Sequence, residues 1–489
     1  LIRGGPILRN AILNSSNYKW WVFLVIATGT FASVMEVGTA IIALPTIANA
    51  FSTDLPTVQW VIVGYAVTIS ALLLPMGRLS DIVGRKQVYI SGFTLFVFGS
   101  IVATTSPNVA VLIGCKMIQG AGAAMTQGTG MAMLTSCFAP TERGRVLGAH
   151  MSVVGSGQIL GPVLGGLLVT ALGWRWVIFV GIPTGSVALM LALFVLDKSK
   201  FELSKTDAGF DWAGATLSAT SMVAFLLALT FGPRLGWSSP EVIFSGTLCL
   251  FLISLFIWWE LKSENPMLEL RLFKVRIFAL GILAAFISFL GFHSARFLMP
   301  FYLQAVLGFS AREVGLIFLP NAMGMIIAGP ISGRLSDKFG FRPFNVAGLM
   351  FTACGLFTLS RMTETSPVAI AMLGMFLGST GMGTFQSPNS SSVFNAVDPG
   401  KHGIVSALLN LVRNAAQVSS IAIATAIVTG VMASMGQPPT LDVVSENGDR
   451  NVILAFVSGL RIAYFSLACL MLLGVAASFM KGSPKSRIE

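Results

Sequence analysis

Glu36 is the one charged residue in the apolar stretch Trp20–Phe51. Burial of an ionised carboxylate in a membrane costs free energy, so such an acid takes up a proton or pairs with a cation. A carboxyl group that titrates near the working pH can accept a proton on one side of a membrane and release it on the other. We interpret Glu36 as a proton carrier. The alternative is a fixed ion pair, for example with Lys116, that joins two helices.

Lys116 lies in another apolar stretch together with two glutamines. Gln119 follows Lys116 by three residues and Gln127 follows Gln119 by eight, so the three side chains fall near one face of a helix. A lysine whose distance from Glu36 changes between states would change the proton affinity of that carboxylate. We expect this coupling role for Lys116, with a static pair or the capping of carbonyls as the alternatives.

Three further polar sets recur at helical spacing within apolar stretches. One stripe has offsets 0, 4, 7, 8 and 11 and consists of Ser406, Asn410, Arg413, Asn414 and Gln417. The other two sets are pairs three residues apart, Gln386 with Asn389 and His293 with Arg296. Such stripes face a bundle interior or a wet cavity rather than lipid. They either line a cavity or join helices, and a histidine among them could relay protons or only bond a neighbour. The cavity candidates are Gln119, Gln127, His293, Arg296, Gln386, Asn389, Asn410, Arg413, Asn414 and Gln417.

The composition indicates which elements must position these side chains. Of the 489 residues, 54% are hydrophobic and 10% are charged, whereas soluble chains carry about 25% charged residues. A soluble enzyme, a secreted disulfide protein and a nucleic-acid binder are therefore poor interpretations. The five cysteines show no Cys-x-x-Cys spacing, so we expect no metal site, no disulfide and no cofactor.

Fourteen apolar stretches are long enough for membrane-spanning helices, which need roughly 20 residues each. A β-barrel is excluded because its strands would alternate with a period of two. With the N-terminus inside, the inner segments hold 22 basic residues and the outer loops five, which places both termini in the cytoplasm. The predicted spans are 19–43, 57–76, 87–105, 109–135, 146–170, 176–196, 211–231, 241–260, 277–303, 313–333, 344–361, 367–389, 402–431 and 452–480.

An internal repeat divides the chain. The segment Gly77–Lys86 follows the second span and a near copy, Gly333–Arg342, follows the tenth. Duplicated halves are common in transporters, and the position of the second copy indicates that spans 7 and 8 were inserted between two six-helix halves. The predicted organisation is an N-terminal cytoplasmic segment 1–18, a first half 19–196, linkers with the inserted helices 197–276, a second half 277–480 and a tail 481–489.

Two short motifs are candidates for controlling movement. In the repeated segments a carboxylate can face the N-terminus of a neighbouring helix, and we expect a latch at the cytoplasmic side formed by Gly77, Asp81, Arg85, Lys86 and Asp337, with static turn chemistry as the alternative. In the fifth span the glycine run allows close helix approach and its proline favours a kink. We expect a moving interface between the halves, or tight static packing, at Gly157, Gly161, Pro162, Gly165 and Gly166.

These motifs resemble those of the major facilitator superfamily. The repeated Gly-x-Leu-x-Asp-x-x-Gly segments resemble its signature loop, Gly155–Gly166 its antiporter motif, and Leu112–Gly122 the motif that usually carries a buried arginine. Similarity to the fourteen-helix drug:proton antiporter-2 branch rests on Met35–Glu36, Ala43–Pro45, Trp174–Trp176, Phe210–Gly214 and Phe301–Gln304. The chain departs from the usual pattern at three positions. It has Lys116 where the family usually has arginine, Glu36 where the branch usually has aspartate, and Ile41 where asparagine is common. The resemblance implies an export pump driven by proton entry.

We expect an exporter and not an enzyme. It would work as a monomer, surrounded by lipids, in the plasma membrane, which in bacteria is the cytoplasmic membrane. Its partners would be protons and an amphipathic small molecule, lipophilic or cationic, and no nucleic acid. A lipid exporter or flippase on the same fold is the alternative, and it would need a lateral opening beside the inserted pair or beside span 5 or 13. A non-transporting sensor or channel is the remote alternative.

Overall fold

The computed structural model describes residues 17–53, 55–197, 209–264, 266–309, 311–438 and 450–481, together with Leu13, Ser15 and Phe201. All regular secondary structure in these ranges is helical. Most of the predicted segment 1–18 lies outside the described residues, and so does the predicted tail 481–489 except for Lys481. The α-helices are α1 Tyr18–Ala50, α2 Leu55–Val83, α3 Arg85–Thr104, α4 Val109–Cys137, α5 Arg143–Leu172, α6 Trp174–Phe179, α7 Gly181–Val195, α8 Trp212–Leu235, α9 Pro240–Lys262, α10 Arg276–Phe301, α11 Ala311–Ile317, α12 Leu319–Phe339, α13 Phe341–Leu359, α14 Val368–Asn395, α15 His402–Ser434 and α16 Arg450–Met480.

Thirteen helical segments in the described ranges are long and apolar enough to cross a membrane. They correspond to thirteen of the fourteen predicted spans. The remaining predicted span, 344–361, is the 19-residue helix α13, which is not one of the thirteen. Polar residues such as Arg342, Asn345 and Thr352 lower its mean hydropathy.

The two repeated segments, which resemble a signature loop and were expected in short turns between spans, are mostly helical. Helix α2 continues through Asp81 to Val83, and α12 continues through Asp337 to Phe339. The chain turns only at Gly84, with φ 112°, and at Gly340, with φ 82°. These positive φ values favour glycine because a Cβ would clash with the backbone. We call the end of the bundle at which α2 and α12 finish the signature-loop end.

The helices of residues 19–196 pack mainly on one another, and so do those of 277–480. In the first group α4 packs on α2 and α3, and α1 packs on α5; in the second, α14 packs on α12 and α13. The two groups contact each other where α5 packs on α12 and α14, and where α15 packs on α2 and α4. The pair α8 and α9 pack on each other, with α8 against α2 and α15, and α9 leaves large apolar side chains such as Phe244 and Leu250 exposed.

Candidate functional site

The structure brings Glu36 and Lys116 together in a buried polar cluster between α1, α3 and α4. The Lys116 ammonium donates to Glu36 Oε1 at 2.5 Å and to Gln119 Oε1 at 2.9 Å. The Gln119 amide donates to the same Glu36 oxygen at 3.2 Å and to Ser100 Oγ at 2.8 Å. Glu36 lies eighteen residues into α1, about 27 Å along the helix. The cluster is therefore deep in the bundle.

The second oxygen of Glu36 has no hydrogen-bond partner among the described residues. Glu36 Oε2 is buried without a hydrogen bond, and the buried hydroxyl of Tyr65 on α2, within electrostatic range of Glu36, also has none. Gly181, at the start of α7, lies directly beside this oxygen, since a Cβ there would be 3.0 Å from Oε2. The sequence did not reveal Ser100, Tyr65 or Gly181, because serine, tyrosine and glycine within apolar helices carry no distinguishing pattern.

A second polar group joins α4 to α15 across the two helix groups. Arg413 Nη2 donates to Gln127 Oε1 at 2.9 Å, and the Asn410 amide donates to the Gln127 carbonyl oxygen at 3.0 Å. Ser406 Oγ donates to the same carbonyl at 3.3 Å. The stripe on α15 thus faces the first helix group. Further along, Asn414 is half-buried and Gln417 is exposed.

A third polar group joins α5 to α10. Arg296 Nη1 donates to Gln158 Oε1 at 2.6 Å. His293 lies within electrostatic range of Arg296 and Arg413. His150 shares a 2.9 Å hydrogen bond with Thr30 Oγ1 and is within electrostatic range of Arg413. The predicted pair His293 and Arg296 therefore lies in the same interior region as the α15 stripe.

At the signature-loop end, Asp81 of α2 meets the N-terminus of α15. Asp81 accepts from the Ile404 backbone N–H at 3.2 Å and from Arg85 Nη2 at 3.1 Å. Arg85 also donates to the Pro399 carbonyl at 2.9 Å. Gly77 allows the close approach, because a Cβ there would be 2.9 Å from the Gly403 carbonyl oxygen. Together these contacts fasten α2 to α15.

Asp337 of α12 meets the N-terminus of α5 in the equivalent way. It accepts from the backbone N–H groups of Gly144 at 2.9 Å and Arg145 at 2.8 Å. Ser387 donates to the Gly144 carbonyl at 2.6 Å. Four of the five predicted latch residues thus contact or adjoin the opposite helix group; the fifth, Lys86, is half-buried at the start of α3.

Three glycines of the antiporter-like motif, Gly157, Gly161 and Gly165, face α1, whereas Gly155 at its start lies against Ile326 of α12. A Cβ at Gly157 would be 3.1 Å from the Val34 side chain, and one at Gly161 would be 2.8 Å from the Met35 carbonyl oxygen. Gly165 lies equally close to Thr39, Gly166 has no neighbour within 4 Å, and α5 continues through Pro162. The expected interface between halves instead uses earlier glycines of α5, among them Gly148, which lies against Gly329 of α12.

Two cavity candidates on α14 lie elsewhere. The buried Asn389 amide donates to the Gly281 carbonyl at 3.0 Å, and its oxygen accepts from the Lys481 ammonium at 2.7 Å. Gln386 is buried and donates to Ser390 Oγ at 3.3 Å. Asn389 therefore joins α10, α14 and the end of α16, as expected of the alternative in which polar residues connect helices.

The contacts of the site are charge pairs and hydrogen bonds between side chains. Within the described ranges no group of three or more histidine, cysteine or acidic side chains is arranged to hold a metal ion, and the five cysteines are free thiols.

The comparisons agree with this architecture. The Major Facilitator Superfamily model matches residues 26–421. Riboflavin transporter RibZ of Clostridioides difficile (strain 630) is 31% identical over 396 residues, 81% of this chain and 85% of that protein. Multidrug resistance protein Stp of Mycobacterium tuberculosis (strain CDC 1551 / Oshkosh) is 28% identical over 436 residues, 88% of this chain and 80% of that protein.

Solved structures show the same fold at low sequence identity. The human organic anion transporter MFSD10 superposes with a TM-score of 0.64 at 16% identity, covering 94% of this chain and 99% of that chain. The proton:xylose symporter XylE superposes with a TM-score of 0.63 at 14% identity, covering 94% and 95%. Given the thirteen spanning helices and the matched family model, this multi-pass membrane protein belongs to the Major Facilitator Superfamily, a family of transporters that are generally not enzymes.

Proposed function

We propose that this chain is a proton-coupled exporter of amphipathic or lipophilic small molecules, of the fourteen-helix drug:proton antiporter-2 type, that works by alternating access. The observation that carries the proposal is the Glu36 cluster. One carboxylate oxygen is held by Lys116 and Gln119, and the other is buried without a partner. An unpaired buried carboxylate oxygen is a site that a proton would occupy favourably.

Protonation of Glu36 would change the packing of α1. The neutral acid attracts Lys116 less strongly, so the ammonium can turn toward Gln119, to which it already donates at 2.9 Å. Helix α1 contacts α5 through the Gly157 and Gly161 face, and α5 in turn packs on α12. A rearrangement at Glu36 therefore has a continuous packed route to the contact between the two helix groups.

The latch contacts support an outward-facing arrangement. Asp81 and Asp337 fasten the two groups together at the signature-loop end. The excess of basic residues at this end supports a cytoplasmic position for it. On this proposal the cytoplasmic side is closed in the structure, and cargo loading from the cytoplasm requires both carboxylates to release their helix N-termini.

The relatives support a small-molecule cargo. RibZ is named a riboflavin transporter and Stp a multidrug resistance protein, and both names concern small molecules. We propose the same class for this chain, acting as a monomer in the plasma membrane, with protons as the coupling ion.

One observation favours the lipid alternative. A crevice of about 270 Å³ lies between α12, α13 and α14, lined mainly by apolar side chains that include the exposed Ile327 and Ile331. Such a recess would accept an acyl chain from the bilayer. Its lining includes no residue of the inserted pair or of spans 5 and 13, beside which the sequence suggested an opening. Lipid export remains the second candidate on this ground.

The test is transport in liposomes that contain the purified protein. An imposed pH gradient should drive uphill movement of riboflavin or ethidium, whereas an NBD-labelled phosphatidylethanolamine should move only if the lipid alternative holds. Glu36→Gln should reduce uphill transport at least tenfold, and Glu241→Gln, at an exposed acid on α9, should leave it unchanged. If Glu36→Gln transports uphill at the parental rate, Glu36 is not the proton carrier. Absence of substrate counterflow would favour the sensor or channel.

A further inference from the structure

Two arginines lie deep in the helices that face the first group. Arg413 is eleven residues into α15 and Arg296 is twenty residues into α10, about 16 and 30 Å from the helix starts. Each is half-buried, and each donates across the interior to a neutral amide, Gln127 or Gln158. A guanidinium has five N–H donors, so most donors of both side chains have no hydrogen-bond partner among the described residues.

No acid balances these two charges in the described part of the chain. Neither arginine forms an ion pair, and the nearby titratable groups, His293 and His150, are basic. Glu36, the described acid that lies deepest in a spanning helix, is held by Lys116.

Two other acids of the helix groups are held at the signature-loop end. Asp81 and Asp337 lie within two residues of the ends of α2 and α12, where they accept from helix N-termini. The interior between α4, α5, α10 and α15 is therefore positively charged, which is costly in a membrane unless a counter-ion enters.

Aromatic side chains adjoin the same charges. Arg296 lies 5.6 Å from the centroid of the Phe292 ring, and the ring of Phe289 stacks on His293 at 6.1 Å. Both rings are buried, Phe289 at 4% and Phe292 at 5% exposed, so an anion bound to the arginines would adjoin aromatic side chains of the packed core.

We propose that the cargo is an amphipathic organic anion, whose carboxylate, sulfonate or phosphate binds Arg296 and Arg413 and whose aromatic body packs near Phe289 and Phe292. This substrate class rests on the proposed export function and replaces the cationic cargo that Glu36 alone suggested. On binding, the two arginines would donate to the charged group of the anion instead of to Gln127 and Gln158. Because both amides belong to the first helix group, the anion would replace bonds that join the groups.

The experiment compares two dyes that share a xanthene body: fluorescein, an anion, and rhodamine 123, a cation. Equilibrium binding to the purified protein is measured by fluorescence anisotropy without a pH gradient. The parent should bind fluorescein at least tenfold more tightly than rhodamine 123. Arg413→Gln and Arg296→Gln should each weaken fluorescein binding about ten- to a hundredfold, the range for a hydrogen bond to a charged group, and leave rhodamine 123 unaffected.

Matched variants separate charge from folding. Arg413→Lys and Arg296→Lys keep the charge and should retain part of the affinity. Arg461→Gln, at an exposed arginine on α16 that donates to the Ser360 carbonyl, should bind like the parent. Tighter binding of rhodamine 123, no fluorescein binding, or equal fluorescein affinity in parent and both Gln variants would overturn the anion site. Arginine-dependent fluorescein binding without proton-driven export would support the site while refuting the proposed export function.

Discussion

Asp81 and Asp337 occupy equivalent positions in the two repeats, and each accepts backbone hydrogen bonds at the N-terminus of a helix from the opposite group. Asp81 does so at Ile404 of α15 and Asp337 at Gly144 and Arg145 of α5. The partial positive charge of a helix N-terminus stabilises a carboxylate. The two repeats therefore fasten the same end of the bundle by the same electrostatic means, although of the two acids only Asp81 pairs with an arginine among the described residues.

Replacement of Asp81 should open the signature-loop end. Asp81→Asn leaves Arg85, which is 2% exposed, without its countercharge; loss of one partner of a buried pair costs about 3–5 kcal/mol. Asp337→Asn loses one of two backbone hydrogen bonds, about 1–3 kcal/mol, so its effect should be smaller. Spin-label distances across the signature-loop ends of α2 and α15 should lengthen in Asp81→Asn. An unchanged distance distribution would contradict the latch.

The sequence predicted the polar faces well and their partners poorly. Helical spacing placed Asn410 and Arg413 on one stripe, and the structure shows that stripe facing Gln127. Spacing cannot say which helix lies opposite, because that depends on how the bundle packs. Asn389 has the same local pattern, yet it binds Lys481 instead of lining the central interior.

Glycine roles show the same limit. The run from Gly157 to Gly165 predicted close helix approach, which the structure contains, but the neighbour is α1 and not the opposite group. Close approach is a local property of residues without side chains, whereas the identity of the approaching helix is a property of the whole fold. Gly181 had no local signal at all, since its function as a neighbour of Glu36 depends on packing between α1 and α7.

Gly181→Ala should impair proton coupling. The added Cβ would lie 2.8 Å from Ser100 Oγ and 3.0 Å from Glu36 Oε2, so it would displace the free carboxylate oxygen. Uphill export under a pH gradient should fall at least tenfold. Gly166→Ala is the control, because nothing lies within 4 Å of its Cβ position; parental export by Gly181→Ala would show that the free oxygen has no part in coupling.

Lys116→Met should alter the pH dependence of substrate-driven proton release. Without the ammonium 2.5 Å from Glu36, the ionised carboxylate is less stable, so the midpoint of release should move to higher pH and coupling should weaken. Lys116→Arg should keep part of the parental behaviour, and Lys262→Met, at an exposed lysine, should keep all of it. An identical midpoint and amplitude in Lys116→Met would make Lys116 a packing residue only.

Asp211→Ala should destabilise the inserted helices without abolishing transport. Asp211 caps α8 by accepting from the Gly214 N–H at 2.8 Å, and it accepts from Trp259 Nε1 of α9 at 2.9 Å. Loss of an N-cap costs about 0.5–2 kcal/mol, so thermal unfolding in detergent should occur at lower temperature. Asp398→Ala, at a cap position without a side-chain hydrogen bond, should unfold like the parent; equal unfolding temperatures for both would contradict the cap.

Lys481, just beyond α16, should make stability depend on pH. Burial lowers the pKa of its ammonium from 10.5 to about 7, although it donates to Asn389 Oδ1 and to Ser392 Oγ at 2.6 Å. Between pH 7 and 10.5 the unfolded chain binds this proton more readily than the folded one, so the contribution of Lys481 to the free energy of unfolding rises with pH in that window and is lost as the pH falls through 7. Lys481→Met removes the titrating group and should flatten this rise. Thermal unfolding in detergent at pH 6.5 and pH 9 measures the difference, with Lys262→Met as the exposed control, and an equal pH dependence in parent and Lys481→Met would refute the assignment.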